Sequence, residues 1–387
     1  MEKPSRFFDR NYKIEIKKVL PTKRDKKRCF TAKRYQNRSN KTKVVYRKIA
    51  IGDVLMQKLL ITIPNGPIKD SFVPQEVREH LENLFDVTYN EGTENYSETE
   101  LRQKLKGKDA VLTGWGTPKI SEKILAGNET LKIIAHTGGS VAAIVDDYAY
   151  EKGIKVLSGN EIYAESVAEA CVAYALCALR RIPDYIASTR EGEWREENTL
   201  WEGLLGQSIG LVSYGMITRH FVRMLQPFSP KIKVYSAHLS EEVLQENHME
   251  KATLQEIFST CKIISLHSAL TERTYHMIDK ALLQRIPDGA VLINTARGGV
   301  IDEDALIQEL KKGRFRAVLD VYEQEPLPQD HPFRCLPNVY PLPHMGGPTY
   351  DRRRVVTECL ADDIVRIANG ETPKMEISQS YAAHMTK

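Results

Sequence analysis

"AVLINTARGGVIDEDALIQELKKGRFRAVLDVY", residues 290–322, reads as strand, helix, strand. The apolar runs 290–296 and 316–322 are too short for helices and suit strands covered on both faces. Between them, 302–313 predicts a helix that begins at a capping Asp302 and stops at Gly313. Two strands joined by a helix pair in parallel, because an antiparallel pair needs only a tight turn.

The alternation continues in both directions. Strand candidates at 208–213, 232–237, 262–267 and 338–343 bring the total to six, which predicts a Rossmann-type doubly wound parallel sheet. Upstream, apolar runs at 59–65, 109–115, 131–139 and 153–159 alternate with amphipathic stretches at 74–85, 97–107 and 120–127. They predict a second α/β domain with a flavodoxin-like parallel sheet. The stretch 163–184 is apolar on most faces and is expected to be a helix ended by Pro183, placing a domain junction near residue 160. A last amphipathic helix over 350–370 ends at Gly370. The expected organisation is a basic extension (1–55), one domain from 56–160 plus 348–387, and another from 161–347.

Length and composition agree with two globular domains: 387 residues, 42% apolar and 27% charged. Charge is uneven. Residues 1–50 hold 18 Lys and Arg against 4 Asp and Glu, leaving 37 basic and 47 acidic residues for the remainder. An acidic body gives no electrostatic reason to bind nucleic acid; only the basic stretch does. That stretch is expected to be disordered, with a nucleic-acid arm or an organelle-targeting peptide as alternatives. Met56, just before the apolar run at 59–65, supports a further reading in which residues 1–55 precede the true start. With no run of about 18 apolar residues and no apolar leader, a cytoplasmic protein without membrane attachment is expected. Six scattered cysteines without zinc spacing suit reduced thiols and predict no metal site.

In an open α/β sheet, ligands sit beyond the carboxyl ends of the strands. Arg297 immediately follows the strand at 290–296, Glu325 lies three residues after 316–322, and His344 immediately follows 338–343. Three strands thus deliver a cation, a carboxylate and an imidazole to one edge. An imidazole moves protons near neutral pH, a carboxylate fixes its tautomer, and an arginine grips a carboxylate or carbonyl. Each also has a structural reading, as a loop cap (Arg297), a solvated acid (Glu325) and a turn residue (His344).

The stretch 292–349, "LINTARGGVIDEDALIQELKKGRFRAVLDVYEQEPLPQDHPFRCLPNVYPLPHMGGPT", resembles the signature of the D-isomer-specific 2-hydroxyacid dehydrogenases nearly throughout. The resemblance covers about residues 59–372 and is nearest to the short, two-domain members. It implies a small 2-hydroxy or 2-keto acid substrate, NAD as cofactor with NADP not excluded, and a homodimer with 163–184 contributing. It places Arg297, Glu325 and His344 in the catalytic positions, with His344 as general acid and base. Gly138, Gly139 and Ser140 match the loop that receives the substrate carboxylate, together with Arg297. Cofactor contacts are implied at Ser213, Tyr214, Gly215, Met216, Ile217, Thr218, His238, His267, Thr295 and Ala296, and at Asp320, which would hold the nicotinamide carboxamide.

The cofactor positions are also where the sequence departs from the family. In "GLVSYGMITRH" (210–220), Ser213 and Thr218 stand where two glycines of G-x-G-x-x-G belong. A side chain at 213 strains a turn that favours glycine, although both hydroxyls are candidate phosphate donors. His238 replaces the acid that bonds the adenosine ribose, and Ala269 replaces a loop proline. Two readings follow: an NAD(P)-dependent oxidoreductase, or a non-catalytic relative that serves as a ligand sensor or interaction protein.

Overall fold

The structure, a computed structural model, describes residues 33–36, 42–45, 56–194, 201–237 and 239–386. Residues 1–55 form a unit of their own. In it, β1 (Lys33–Gln36) and β2 (Thr42–Val45) pair antiparallel. The expectation of a disordered extension is corrected at these eight residues, where Tyr35, Thr42, Val44 and Val45 are strand formers. The rest of that expectation lies outside the described residues.

Residues 56–387 carry two parallel sheets. The first has β3 (Lys58–Ile61), β4 (Asp86–Tyr89), β5 (Ala110–Thr113), β6 (Ile133–His136) and β7 (Lys155–Ser158), in the order β4-β3-β5-β6-β7. That is the flavodoxin-like order, with its switch between β3 and β5. Sequence patterning missed β4, a half-buried edge strand containing Asp86 and Thr88.

The second sheet has β8 (Ser208–Val212), β9 (Lys231–Tyr235), β10 (Met249–Lys251), β11 (Ile263–Leu266), β12 (Val291–Asn294), β13 (Arg316–Leu319) and β14 (Val339–Pro341). Its order, β10-β9-β8-β11-β12-β13-β14, is doubly wound, with the switch between β8 and β11. The six expected strands become seven. The addition, β10, is a three-residue edge strand with two charged residues, too short to carry a pattern. The α/β class and both sheet types hold.

Helix Asn160–Leu179 enters the second sheet's core: Ala168, Cys171, Ala175 and Leu179 pack with Ile209, Phe221, Ile293 and Val318. By length and composition alone this helix suffices to cross a membrane. Pro183 does not end it, contrary to expectation. Arg181 takes the left-handed conformation, and Pro183 sits in the first turn of a new helix, Ile182–Arg190, where its fixed φ and missing N–H are harmless. Helix Tyr350–Ala368 returns to the first sheet, packing Val356, Leu360 and Ile364 against Leu59, Ile61 and Ile133. Each such buried side chain contributes about 1.5–3 kcal/mol.

Candidate active site

The opening stretch folds as expected, with the Asp302 side chain accepting from Ala305 N at 3.0 Å to cap helix Glu303–Leu310. Just before it, the turn after β12 is shaped by buried Asn294. Its Nδ2 donates to Arg297 O (3.1 Å) and its Oδ1 accepts from Ala296 N (3.0 Å). Gly298 is pressed against the turn after β13: a Cβ there would lie 1.9 Å from the carbonyl carbon of Tyr322. These contacts hold Arg297 half-buried beside the β13 loop. Burial pushes its guanidinium below the usual range, and the negative charge of Glu325 acts in the opposite direction.

Glu325 is fixed at both oxygens. Oε1 accepts from Tyr322 N at 3.0 Å, and Oε2 lies 2.6 Å from His344 Nδ1. An ionised carboxylate only accepts, so Nδ1 carries the proton, and Nε2 has no protein partner among the described residues. His344 is exposed, its side chain at 51%, and its backbone is left-handed at φ 53°. Asp320, 2% exposed, clamps the loop that follows. Its two oxygens accept from Met345 N (2.8 Å) and Gly346 N (2.7 Å). Burial raises the Asp320 pKa, and those two N–H groups oppose the rise. Beyond the carboxamide contact implied by resemblance, Asp320 therefore positions the His344 loop.

In the first sheet, the loop after β6 rests on His136. Thr113 Oγ1 donates to Ala135 O (3.2 Å) and so accepts from His136 Nδ1 (2.9 Å). The ring is 3% exposed, and burial lowers its pKa to about 4, so it is neutral at physiological pH. A Cβ at Gly138 would stand 2.4 Å from His136 Nε2, so any larger residue there must displace the buried imidazole. Among the described residues, the N–H groups of Gly138, Gly139 and Ser140 donate to no protein acceptor, which suits an anion. The Ser140 hydroxyl is different: it donates to Thr386 O at 2.7 Å. The resemblance calls on the backbone N–H of Ser140, and the hydroxyl is engaged elsewhere.

The turn after β8 confirms the strain expected at position 213, where Ser213 has φ 81°. Thr218 is fully buried and its Oγ1 donates to Ser213 O at 3.0 Å, which corrects the expectation that this hydroxyl is available to phosphate. Among the described residues, the N–H groups of 214–218 pair with no protein acceptor, and a Cβ at Gly215 would meet nothing within 4 Å. Gly215 is the N-cap of helix Met216–Leu225, so those donors face an approachable backbone at a positive helix end. His267, at the end of β11 beside this turn, has both ring nitrogens shielded from solvent and unpartnered. Unpaired donors, open space at Gly215 and an orphaned imidazole at the switch point all fit a dinucleotide.

Not every expected cofactor residue offers its side chain to that space. Thr295 is buried with Oγ1 3.4 Å from Cys171 Sγ, and Ala296 is 7% exposed. Tyr214 packs on the core. Ile217 is half-buried, and Met216 Sδ accepts from Asn160 Nδ2 at 3.6 Å. His238 lies outside the described residues. Sequence reasoning missed Asn294, His136 and Thr386. A buried asparagine at a strand end and a histidine just before a glycine pair were the available signals for the first two; nothing in the sequence pointed to Thr386.

Residues 172–346 match the NAD binding domain of the D-isomer specific 2-hydroxyacid dehydrogenases. Over 309 residues the chain is 31% identical to a glyoxylate reductase of Thermococcus litoralis, covering 78% of this chain and 93% of that one. It is 32% identical over 318 residues to a D-3-phosphoglycerate dehydrogenase of Methanocaldococcus jannaschii, covering 82% of this chain but only 58% of that relative. Among solved structures, a glyoxylate reductase from Paecilomyes thermophila superposes with a TM-score of 0.68 at 26% identity, covering 84% of this chain and 99% of that one.

Proposed function

The chain belongs to the D-isomer-specific 2-hydroxyacid dehydrogenase family, and on that premise we propose that it transfers a hydride between NAD and a small D-2-hydroxy acid or its 2-keto partner, with His344 as general acid and base. The observation that carries this reading is the 2.6 Å contact between His344 Nδ1 and Glu325 Oε2, on the same sheet edge as Arg297. When bound, the cofactor would supply the hydride as NADH in reduction and accept it as NAD+ in oxidation. During reduction His344 gives the proton from Nε2 to the substrate oxygen, and during oxidation it takes it back. Glu325 stabilises the charged imidazole and holds its orientation. Arg297 binds the substrate carboxylate and polarises the carbonyl, while the N–H groups of Gly138, Gly139 and Ser140 receive the carboxylate.

The backbone of residues 213–218 and the ring of His267 hold the cofactor, with Thr295, Ala296 and Asp320 at its nicotinamide end. Residues 161–347 form the dinucleotide-binding domain, and 56–160 plus 348–387 the substrate domain. The described cysteines are all free thiols, which supports a reducing, cytoplasmic setting. A homodimer is supported by helix Ile182–Arg190, which buries no residue and leaves Ile182 and Ile186 exposed at 41% and 46%.

Titrating the full chain with NADH and NADPH, followed by nicotinamide fluorescence, and then assaying a panel of 2-keto acids tests the reading. Saturable binding with turnover is expected. No binding at millimolar cofactor overturns it in favour of the non-catalytic alternative, towards which the strained Ser213 points.

A further inference from the structure

The segment after helix Tyr350–Ala368 does not simply trail away. Its first part extends the first sheet: Ser158 N donates to Met375 O (3.1 Å), and Ile377 N donates to Val156 O (2.8 Å), along the edge of β7. A short helix, Gln379–Ala382, follows, capped by Ser378. Ala382 and Met385 pack on the first sheet's second core layer, and Gln379 Nε2 donates to Asp147 Oδ1 at 3.0 Å. Up to this point the segment belongs to one domain.

Thr386 then reaches both. Its carbonyl accepts from Ser140 Oγ at 2.7 Å, in the glycine loop of the first sheet. Its Oγ1 accepts from Leu270 N at 3.4 Å, in the loop that leaves β11 of the second sheet three residues after His267. Ser140 Oγ in turn accepts from Ala142 N (3.3 Å), so the contact bears on the conformation of the glycine loop. A second bridge lies nearby: Asn160 Nδ2 donates to Tyr381 OH (3.3 Å) and contacts Met216 Sδ at the head of the phosphate-turn helix.

We propose that Ser378–Thr386 is a positioning strap, in which Thr386 ties the substrate-binding glycine loop to the β11 loop and so sets the width of the cleft between substrate and cofactor. The proposal rests on the function read above for that cleft. A strap of this kind holds the amides of residues 138–140 and the ring of His267 at a defined separation before substrate enters. Pre-organisation lowers the ordering cost of binding, so its loss appears in the substrate KM rather than in chemistry at a saturated site.

Hydrogen exchange on the full chain and on a variant lacking residues 378–387 tests the strap without needing turnover. The amides of Ala142 (in 138–142) and Leu270 (in 268–272), which lie in loops of different sheets and are bonded to Ser140 Oγ and Thr386 Oγ1, are both expected to exchange about tenfold faster in the variant. Faster exchange in 138–142 alone overturns the proposal, because the segment then serves only its own domain. Should the deletion fail to fold, Thr386→Val keeps Ala382 and Met385 in place and removes only the acceptor for Leu270 N. The Leu270 amide should then exchange about fivefold faster, and an unchanged rate overturns the strap. Where the full chain turns over a 2-keto acid, the deletion should raise its KM about tenfold with kcat largely kept; a KM within about twofold overturns the proposal. If the full chain turns over none, the functional reading fails while the exchange result still decides the strap.

Discussion

Thr218 Oγ1 donates to the carbonyl of Ser213 across 3.0 Å, tying the third position of the phosphate turn to the first. Glycine at both positions would remove a strained φ of 81° and a buried side chain, but also this bond. The two substitutions therefore have opposite expected effects on stability. Ser213→Gly relieves about 1 kcal/mol of left-handed strain. Thr218→Gly loses the hydrogen bond, and its place in a helix costs roughly 1 kcal/mol. The double variant combined with His238→Asp should bind NADH more tightly, as read by fluorescence titration. Unchanged affinity would mean that the turn holds its ligand in another way.

His344→Ala should abolish reduction of 2-keto acids while the NADH dissociation constant stays within about twofold, since His344 is exposed and, among the described residues, its side chain bonds Glu325 alone. Glu325→Gln should lower kcat roughly a hundredfold. Steady-state kinetics paired with cofactor titration separates the two effects, and surviving turnover in His344→Ala would remove its assigned role.

Asp320→Ala leaves the N–H groups of Met345 and Gly346 without their acceptor. A loss of about 2–3 kcal/mol is expected, measurable as a lower midpoint in chemical denaturation. Activity should fall by more than stability explains, because the same loop carries His344.

His136 has a folded pKa lowered to about 4 from 6.5 by burial. The unfolded chain then takes up this proton first as pH falls. The contribution of a neutral His136 is fully present above about pH 6.5 and is lost between 6.5 and 4, at about 1.4 kcal/mol per pH unit. Denaturation midpoints across that window should show the slope, and His136→Gln should flatten it.

Gly298→Ala places a Cβ 1.9 Å from the carbonyl carbon of Tyr322, an overlap that no rotamer relieves because it is with backbone. The two turns must separate. Turnover should be lost and the melting temperature should drop, whereas Gly215→Ala, with nothing within 4 Å of the new Cβ, should leave the fold intact and act on cofactor affinity alone.

The order of strands and helices was legible because continuous apolar runs bounded by a capping Asp302 and a Gly313 leave few alternatives. The edge that carries Arg297, Glu325 and His344 was legible too, since a parallel sheet sends every strand's carboxyl end the same way. Short edge strands such as β10 were not, because three half-charged residues join a sheet only when a neighbour supplies the hydrogen bonds. What the sequence determined by itself is the doubly wound architecture and the identity of the chemical groups on its rim. Tertiary structure alone decided which atoms of those groups remain free. It turned Thr218 inward to Ser213, joined Asp320 to the His344 loop, and brought Thr386 against Ser140 across 246 positions of chain. Hydrogen-bond partners that distant are set by packing, and no local pattern encodes them.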